Sequence, residues 1–447
     1  MSIICGTDLS AASAGALDVA IALAKLYGHR EVVLAHIIDP ELGGSAAARE
    51  RALEDARTAL DAQAAALRPG DPAVRTELIV GPPDASLVEL AEAEGSELIV
   101  IRARSTSSSL LRLGTTTAKV IARTSVPVLV IREPDPWLKF ASGERPLRLL
   151  LGIDDSAVCD LGIQWTQGLA ARGPVEIVLG AIYYPDDAAA HYGVGLRGMV
   201  DSDPDIERLM ARDLARRFGT LGGGGGGASS SGSDASRSTI TTRPRRGLGR
   251  IGDHVVELAN EEKVDAIIVG TGQKTGLGRL GSVSSIIVND APQSVVCVPP
   301  QANIPTMSLP EIRSALVATD LSPFSNRAVP YAFALVANAG AAGAAEPAEV
   351  HIVHVVKDDD DAEVDEAAIT AQLYALAPKG ARPRVHAHLV RGEDAAIALA
   401  QCAAHLGVDV ICIASHGRSG ITRALVGSVA DRLLRATRRP VLVLRPA

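Results

Sequence analysis

Short apolar runs alternate along this chain with longer stretches whose apolar positions return every three or four residues. The first pattern is that of a strand buried on both faces, the second that of an amphipathic helix. The alternation is clearest in the last third. There "SALVATD", "EVHIVHVV", "RVHAHLVRG", "VDVICIAS" and "PVLVLRP" predict strands. Between them "SPFSNRAVPYAFALVANAG", "DEAAITAQLYALA", "EDAAIALAQCAAHLG" and "GSVADRLLRAT" predict helices. Strands joined by helices need right-handed crossovers, so the pattern implies a doubly wound parallel sheet of five strands with helices on both faces, an α/β fold of Rossmann-like kind.

The same pattern occurs three times. "IICGTDLSAASAGAL" from Ile3, "LLLGIDDSAVCDLGI" from Leu149 and "ALVATDLSPFSNRAV" from Ala315 each run from an apolar strand into Asp-x-Ser and a helix. "SVPVLVIREP" (125–134), "PQSVVCVPP" (292–300) and "RRPVLVLRPA" (438–447) close the repeats. Shortly before each close stand Gly114-Thr115, Gly281-Ser282 and Gly427-Ser428. The spans Asp8 to Gly114 and Asp320 to Gly427 are nearly equal, whereas Asp154 to Gly281 is about twenty residues longer. The tract "GGGGGGASSSGSDASRS" (222–238) accounts for the excess as a flexible insert. Residues 1–134, 146–300 and 311–447 are therefore expected to be three tandem domains, separated by Pro-rich linkers at 132–146 and 299–311.

Composition fits three domains of roughly 150 residues each in a chain of 447. Aromatic residues are 3% of the chain, so its cores must be aliphatic. A net charge of −8 argues against a general nucleic-acid surface, and the basic stretch "RPRRGLGR" (243–250) is read as a solvated strand end. The acidic run "DDDDAEVDE" (358–366) is read as a solvated helix start. Cys5, Cys159, Cys297, Cys402 and Cys412 form no CxxC pair and suit a reducing cytoplasm, and no His, Cys and Asp set has zinc spacing. No apolar run spans a bilayer, and "MSIICGTDLS" reads as a first strand rather than a signal peptide. The expected partners thus include neither nucleic acid nor membrane.

Candidate chemistry lies at the carboxyl ends of the strands, where doubly wound sheets bind ligands at the reversal of strand order. In the third repeat Asp320 follows the first strand, and "ASHGRSGITRALVGSVA" (414–430) follows the fourth. Backbone N–H groups of such a loop and of the helix starting near Gly427 can cradle a phosphate chain. Gly417 and Gly420 permit close approach, Ser428 offers a hydroxyl, and Asp320 suits a ribose or adenine hydrogen bond. "GTGQKTG" is neither dinucleotide fingerprint nor P-loop, since Thr275 stands at the third glycine and no Gly-Lys-Ser/Thr occurs. No Ser-His-Asp or Cys-His arrangement is defensible. His36 and His354, at matching positions of second strands, are expected to pack or hydrogen-bond locally.

On these residues all three repeats resemble the universal stress protein family, whose nucleotide-binding members carry Gly-x2-Gly-x9-Gly-Ser/Thr after the fourth strand. The third repeat departs only at Ala414, with Gly417, Gly427 and Ser428 in place. The resemblance implies the adenine nucleotide alpha hydrolase-like fold. It also implies adenosine contacts from Asp320 and Val355, with Ala318 and Thr319 as backbone neighbours, and a phosphate site along Ala414, Gly417, Gly427, Ser428 and Val429; His416, inside that loop, reads either as a phosphate contact or as a solvated loop histidine. The second repeat has Asp154, Gly270, Gly272, Gly281 and Ser282, but with eight residues rather than nine between Gly272 and Gly281, an altered loop. In the first, Ile101 and Arg104 occupy the two early glycine positions.

The expectation is a cytoplasmic, stress-responsive regulatory protein that binds ATP or a related adenine nucleotide, with Mg²⁺ on the triphosphate, mainly in the third repeat. The family pairs through its last strand. Two repeats could pair within the chain, so the third would join a second copy to give a homodimer, beside a protein partner left unspecified. The alternatives are a scaffold that binds no nucleotide, or a slow ATP hydrolase.

Overall fold

In the computed structural model the described residues are 2–39, 46–65, 70–103, 115–154, 156–194, 203–221, 238–272, 282–302, 312–336, 348–357, 365–414, 427–437 and 439–445. Nearly all of the Gly/Ser tract and most of the three loops after the fourth strands and of the second linker lie outside them. The first repeat runs β1 (Ile3–Gly6), α1 (Ala11–Tyr27), β2 (Glu31–Ile38), α2 (Ala46–Ala64), β3 (Ala73–Val80), α3 (Pro83–Ala93), β4 (Leu98–Arg102), α4 (Thr115–Arg123) and β5 (Val128–Ile131). A short helix, α5 (Asp135–Ala141), leads to the second repeat. That repeat comprises β6 (Leu147–Gly152), α6 (Ala157–Ala170), β7 (Val175–Tyr183), α7 (Pro185–Tyr192), α8 (Pro204–Leu221), β8 (Thr239–Arg246), α9 (Ile251–Glu261), β9 (Ala266–Gly270), α10 (Ser282–Asp290) and β10 (Ser294–Val298). The third has β11 (Ser314–Ala318), α11 (Ala328–Val336), β12 (Glu349–Val356), α12 (Glu366–Ala375), β13 (Arg384–Arg391), α13 (Ala395–Leu406), β14 (Val410–Ala414), α14 (Ser428–Ala436) and β15 (Val441–Leu444).

Each repeat forms the expected parallel sheet, its strands in the order third, second, first, fourth, fifth. The sheets are not all separate, however. β5 and β10 pair antiparallel, Val130 opposite Val295 and Val128 opposite Cys297, which fuses the first two repeats into one ten-stranded sheet. Both strands are fully buried. Arg132 secures the seam: its N–H donates to Ser294 Oγ at 3.1 Å and its guanidinium to the Val288 carbonyl in the last turn of α10 at 2.8 Å. A cation there meets the negative end of the helix. Arg172 also reaches across the repeats, lying over the Tyr27 ring at 4.2 Å and 3.5 Å from Glu97.

The core is aliphatic, as the composition requires, with Ile4, Val33, Ile99, Val130, Ile267 and Val295 in one cluster. All five cysteines are free. Burial pushes the thiols of Cys5, Cys297 and Cys412 up to about 12, which leaves them protonated and unreactive. No helix among the described residues is long and apolar enough to cross a membrane.

The first linker is more ordered than its prolines suggest. Pro134 precedes α5, where fixed φ suits a helix start, and Trp137 and Phe140 of that helix are fully buried.

The chain divides into two compact units, one of residues 1–182 and 232–307, the other of residues 183–231 and 308–447. The second unit thus contains α7 and α8, which in sequence belong to the second repeat. Tyr192, Ile206 and Leu209 of these helices cluster with Ala404 of α13. Arg212 donates to the carbonyls of Ala404 and His405, and Arg216 to that of Leu406, so α8 caps the C-terminal end of α13. Asp213 pairs with Arg439 at 2.8 Å. Two glycines admit this contact. Gly407 ends α13 in the left-handed region (φ 69°), and a Cβ there would lie 2.9 Å from Arg216 Nη1 and 3.1 Å from Asp213 Oδ1. Gly193 ends α7 at φ 65°, where a Cβ would meet Gln401 at 3.2 Å.

Replacing Trp137 by Ala removes a fully buried indole, and the unfolding free energy is expected to fall by about 3–5 kcal/mol. Urea denaturation of the first unit's transition, followed by far-UV circular dichroism on the full chain, measures it.

Candidate functional site

Strand register assembles the site of the third repeat. Ala318 ends β11 opposite Val353 of β12 and Ile413 of β14. Val355 lies two residues further along β12, and Ala414 is the last residue of β14. Ala318, Val355 and Ala414 therefore share the carboxyl end of three adjacent strands, and β11 and β14 flank the reversal of strand order. Thr319 and Asp320 lead out of β11 into the same end. Gly427 is the N-cap of α14, with Ser428 and Val429 exposed in its first turn. His416 and Gly417 lie outside the described residues, as does Gly281.

A network of short polar side chains shapes the loop after β11. The N–H of Leu321 donates to Thr319 Oγ1 at 2.9 Å and that of Ser322 to Asp320 Oδ1 at 2.9 Å. Ser325 Oγ donates to Asp320 Oδ1 and lies 2.9 Å from Thr319 Oγ1. His354 Nδ1 meets the Thr319 carbonyl oxygen at 2.9 Å, and in the first repeat His36 meets that of Thr7 at the same distance. Both histidines thus hydrogen-bond locally, as the sequence suggested. Leu321 stands at φ 64°, as Leu9 does at φ 60°, a conformation rare for a branched residue. Its recurrence in both "TDLS" loops follows from the same Thr and Asp side chains seizing the next N–H groups.

Asp320 is exposed. Partial burial raises its pKa, but the hydrogen bonds from Ser322 and Ser325 outweigh it and hold the carboxyl below the ordinary aspartate value. The contribution of Ser325 was not legible in the motif, which marks Asp320 alone.

The other two repeats use the equivalent positions differently. Asp154 is exposed and accepts from the N–H of Ser156 at 2.9 Å, as Asp320 accepts from Ser322. Gly270 ends β9 where Ala414 ends β14, but a Cβ on it would lie 2.7 Å from Val158 Cγ1 and 3.1 Å from the Val158 backbone. That glycine admits α6. Among the described residues nothing lies within 4 Å of a Cβ placed on Gly272, and Ser282 begins α10. In the first repeat Gly6 pairs with Ile101 as Ala318 pairs with Ile413. Register therefore equates Arg102, rather than Ile101, with Ala414, and glycine spacing alone misplaces the loop by one residue. Ile101 packs on Gly6, where a Cβ would be 3.0 Å from its Cγ2, and Arg102 Nε is buried with no hydrogen-bond partner among the described residues.

Among the described residues no group of three or more His, Cys, Asp and Glu is placed to hold a metal ion.

The profile of the universal stress protein family matches residues 1–132, 147–299 and 311–445. No curated protein sequence matches the chain. Among solved structures, a universal stress protein from Archaeoglobus fulgidus is similar at 15% identity and a TM-score of 0.44, over 67% of this chain and 98% of its own. The universal stress protein UspA from Lactobacillus plantarum is 22% identical, with a TM-score of 0.24 over 29% of this chain and 97% of its own. A universal stress protein in complex with cAMP is 23% identical, with a TM-score of 0.26 over 31% of this chain and 99% of its own.

Replacing Ser325 by Ala removes one donor to Asp320, so the Asp320 pKa is expected to rise toward the ordinary value. Carboxyl NMR titration of the wild type and S325A checks this. The sign for stability follows: Asp320 stabilises the fold above the unfolded pKa, and that contribution is lost as pH falls through the lower folded value.

Proposed function

The chain belongs to the universal stress protein family, and we propose on that premise that its third repeat binds ATP or a related adenine nucleotide and that binding regulates the protein. The observation that carries the reading is the convergence of Ala318, Asp320, Val355 and Ala414 at the strand ends. Ala318 and Ala414 are small enough to leave room for a flat ring and a sugar. Asp320, exposed and kept ionised, would accept from ribose hydroxyls. The loop that includes His416 and Gly417, with Gly427 and Ser428 at the start of α14, would receive the phosphates, whose charge suits a helix N-terminus. Mg²⁺ would arrive with the triphosphate. In this reading the role is regulatory, in a stress response within the cytoplasm, with hydrolysis slow at most.

The first repeat fits a different part. With Arg102 at the position of Ala414, its crevice keeps a small residue at Gly6 but has a long side chain where the third repeat has its second alanine. That favours a scaffold role, joined to the second repeat through β5 and β10. β15, the counterpart of those strands, is half-exposed at all four residues, whereas β5 and β10 are buried throughout. An uncovered edge invites pairing. We therefore propose a homodimer through β15.

Calorimetric titration of Mg·ATP, and separately of cAMP, into the full chain is expected to show one saturable site. Gly417→Val and Asp320→Ala should each abolish or weaken it at least tenfold while leaving the far-UV spectrum unchanged. Absence of heat and of thermal stabilisation in the wild type would transfer the third repeat to the scaffold reading. Light scattering at micromolar concentration is expected to give twice the chain mass, and Val443→Lys to return it to one.

A further inference from the structure

A cluster of imidazoles lies away from the crevice, on the sheet of the second unit. His351 of β12 pairs in register with His386 of β13, and His388 stands two residues further on the same face of β13. The three ring centroids are 4.9, 5.2 and 6.4 Å apart. His351 is 6% exposed, and its Nδ1 lies 3.0 Å from His388 Nε2. Nε2 of His386 is buried with no hydrogen-bond partner among the described residues. Among the described residues, the charged and titratable groups around His351 are Glu349 on its own strand, His386 and His388 on β13, and Arg216 of α8. Glu349 is 3.5 Å from His351 Nε2 and 3.9 Å from His386 Nε2. Arg216 itself sits 3.8 Å from Asp409 and donates to α13.

Proton count decides what this arrangement can tolerate. The contact between His351 Nδ1 and His388 Nε2 is a hydrogen bond only while one nitrogen carries a hydrogen and the other a lone pair. One further proton can be accommodated elsewhere on either ring. Once both rings are imidazolium, two N–H groups face each other at 3.0 Å, and the contact must open. Glu349 is one carboxylate among three imidazoles, and Arg216 adds positive charge from α8. β13 is the edge strand of its sheet, so it can move away without breaking a second ladder. The groups that hold α8 on α13 adjoin the same region.

We propose that the histidine cluster of β12 and β13 makes the docking of α8 on the third repeat proton-sensitive, so that mild acidification loosens this edge of the second unit. Burial first, then His388, His386 and Arg216, push His351 down to about 3; burial and His386 lower His388. The sign is fixed by linkage. A histidine with a depressed folded pKa imposes no penalty above the unfolded value near 6.5, and destabilises the fold progressively as pH falls below it. One such histidine shifts the opening equilibrium roughly tenfold by pH 5.5.

Hydrogen exchange on the full chain at pH 7.5 and 5.5, corrected for intrinsic rates, tests the proposal. Peptides covering 204–221, 349–356 and 384–391 are expected to open about tenfold more at pH 5.5, while those covering β1 and β4 do not change. In the double variant His351→Gln, His388→Gln the acid response of those three segments should disappear. The same response in the variant, or none in the wild type, overturns the proposal. Should the variant not fold, imidazole NMR titration of the wild type decides: both His351 and His388 protonating above pH 6 in the intact fold overturns it, and titration of either ring held below that upholds it.

Discussion

A parallel sheet wound in this order ends on a strand whose outer N–H and C=O groups have no partner inside the repeat, and meeting that demand organises the chain. The first two repeats meet it with each other. Their last strands are all valine, leucine, isoleucine and cysteine beyond one serine, so antiparallel contact buries them completely and satisfies both edges at once. The antiparallel sense also points the carboxyl ends of the two half-sheets in opposite directions, so their crevices open at opposite ends of the fused sheet. The third repeat has the same strand without the same cover.

Most of the architecture was legible because aliphatic strands and amphipathic helices have distinct periods. β12 occupies the residues of "EVHIVHVV" from first to last. What escaped was contact information. Pro-rich sequence around α5 reads as a linker, and only its fit with the core shows why Trp137 and Phe140 are there. The pattern of α8 tells that one face is apolar but not that α13 of another repeat covers it. Alternation in "RVHAHLVRG" places His386 and His388 on one face, yet the register with β12 was needed to bring His351 beside them.

For the candidate site, glycine spacing and backbone registry number the first repeat's equivalent position differently. Counting back from the Gly-Ser pair by the spacing of the motif assumes a loop of constant length, whereas backbone pairing fixes positions regardless of the loop. Arg102, Gly270 and Ala414 are thereby one position with three tasks: a long cation, a gap that admits a neighbouring helix, and a small side chain beside an exposed aspartate. A glycine at a motif position is thus no guarantee of a ligand, since Val158 already occupies the space that Gly270 leaves.

The glycines that end α7 and α13 carry a different consequence. Because Gly193 and Gly407 let helices from two sequence repeats close on each other, the repeats of the sequence are not the compact units of the fold. A fragment cut at the repeat boundary would leave the arginine-capped end of α13 bare, and a substitution in the second repeat's helices would be felt as a defect of the third. Sequence divides this chain by repeat, while packing joins helices across repeats.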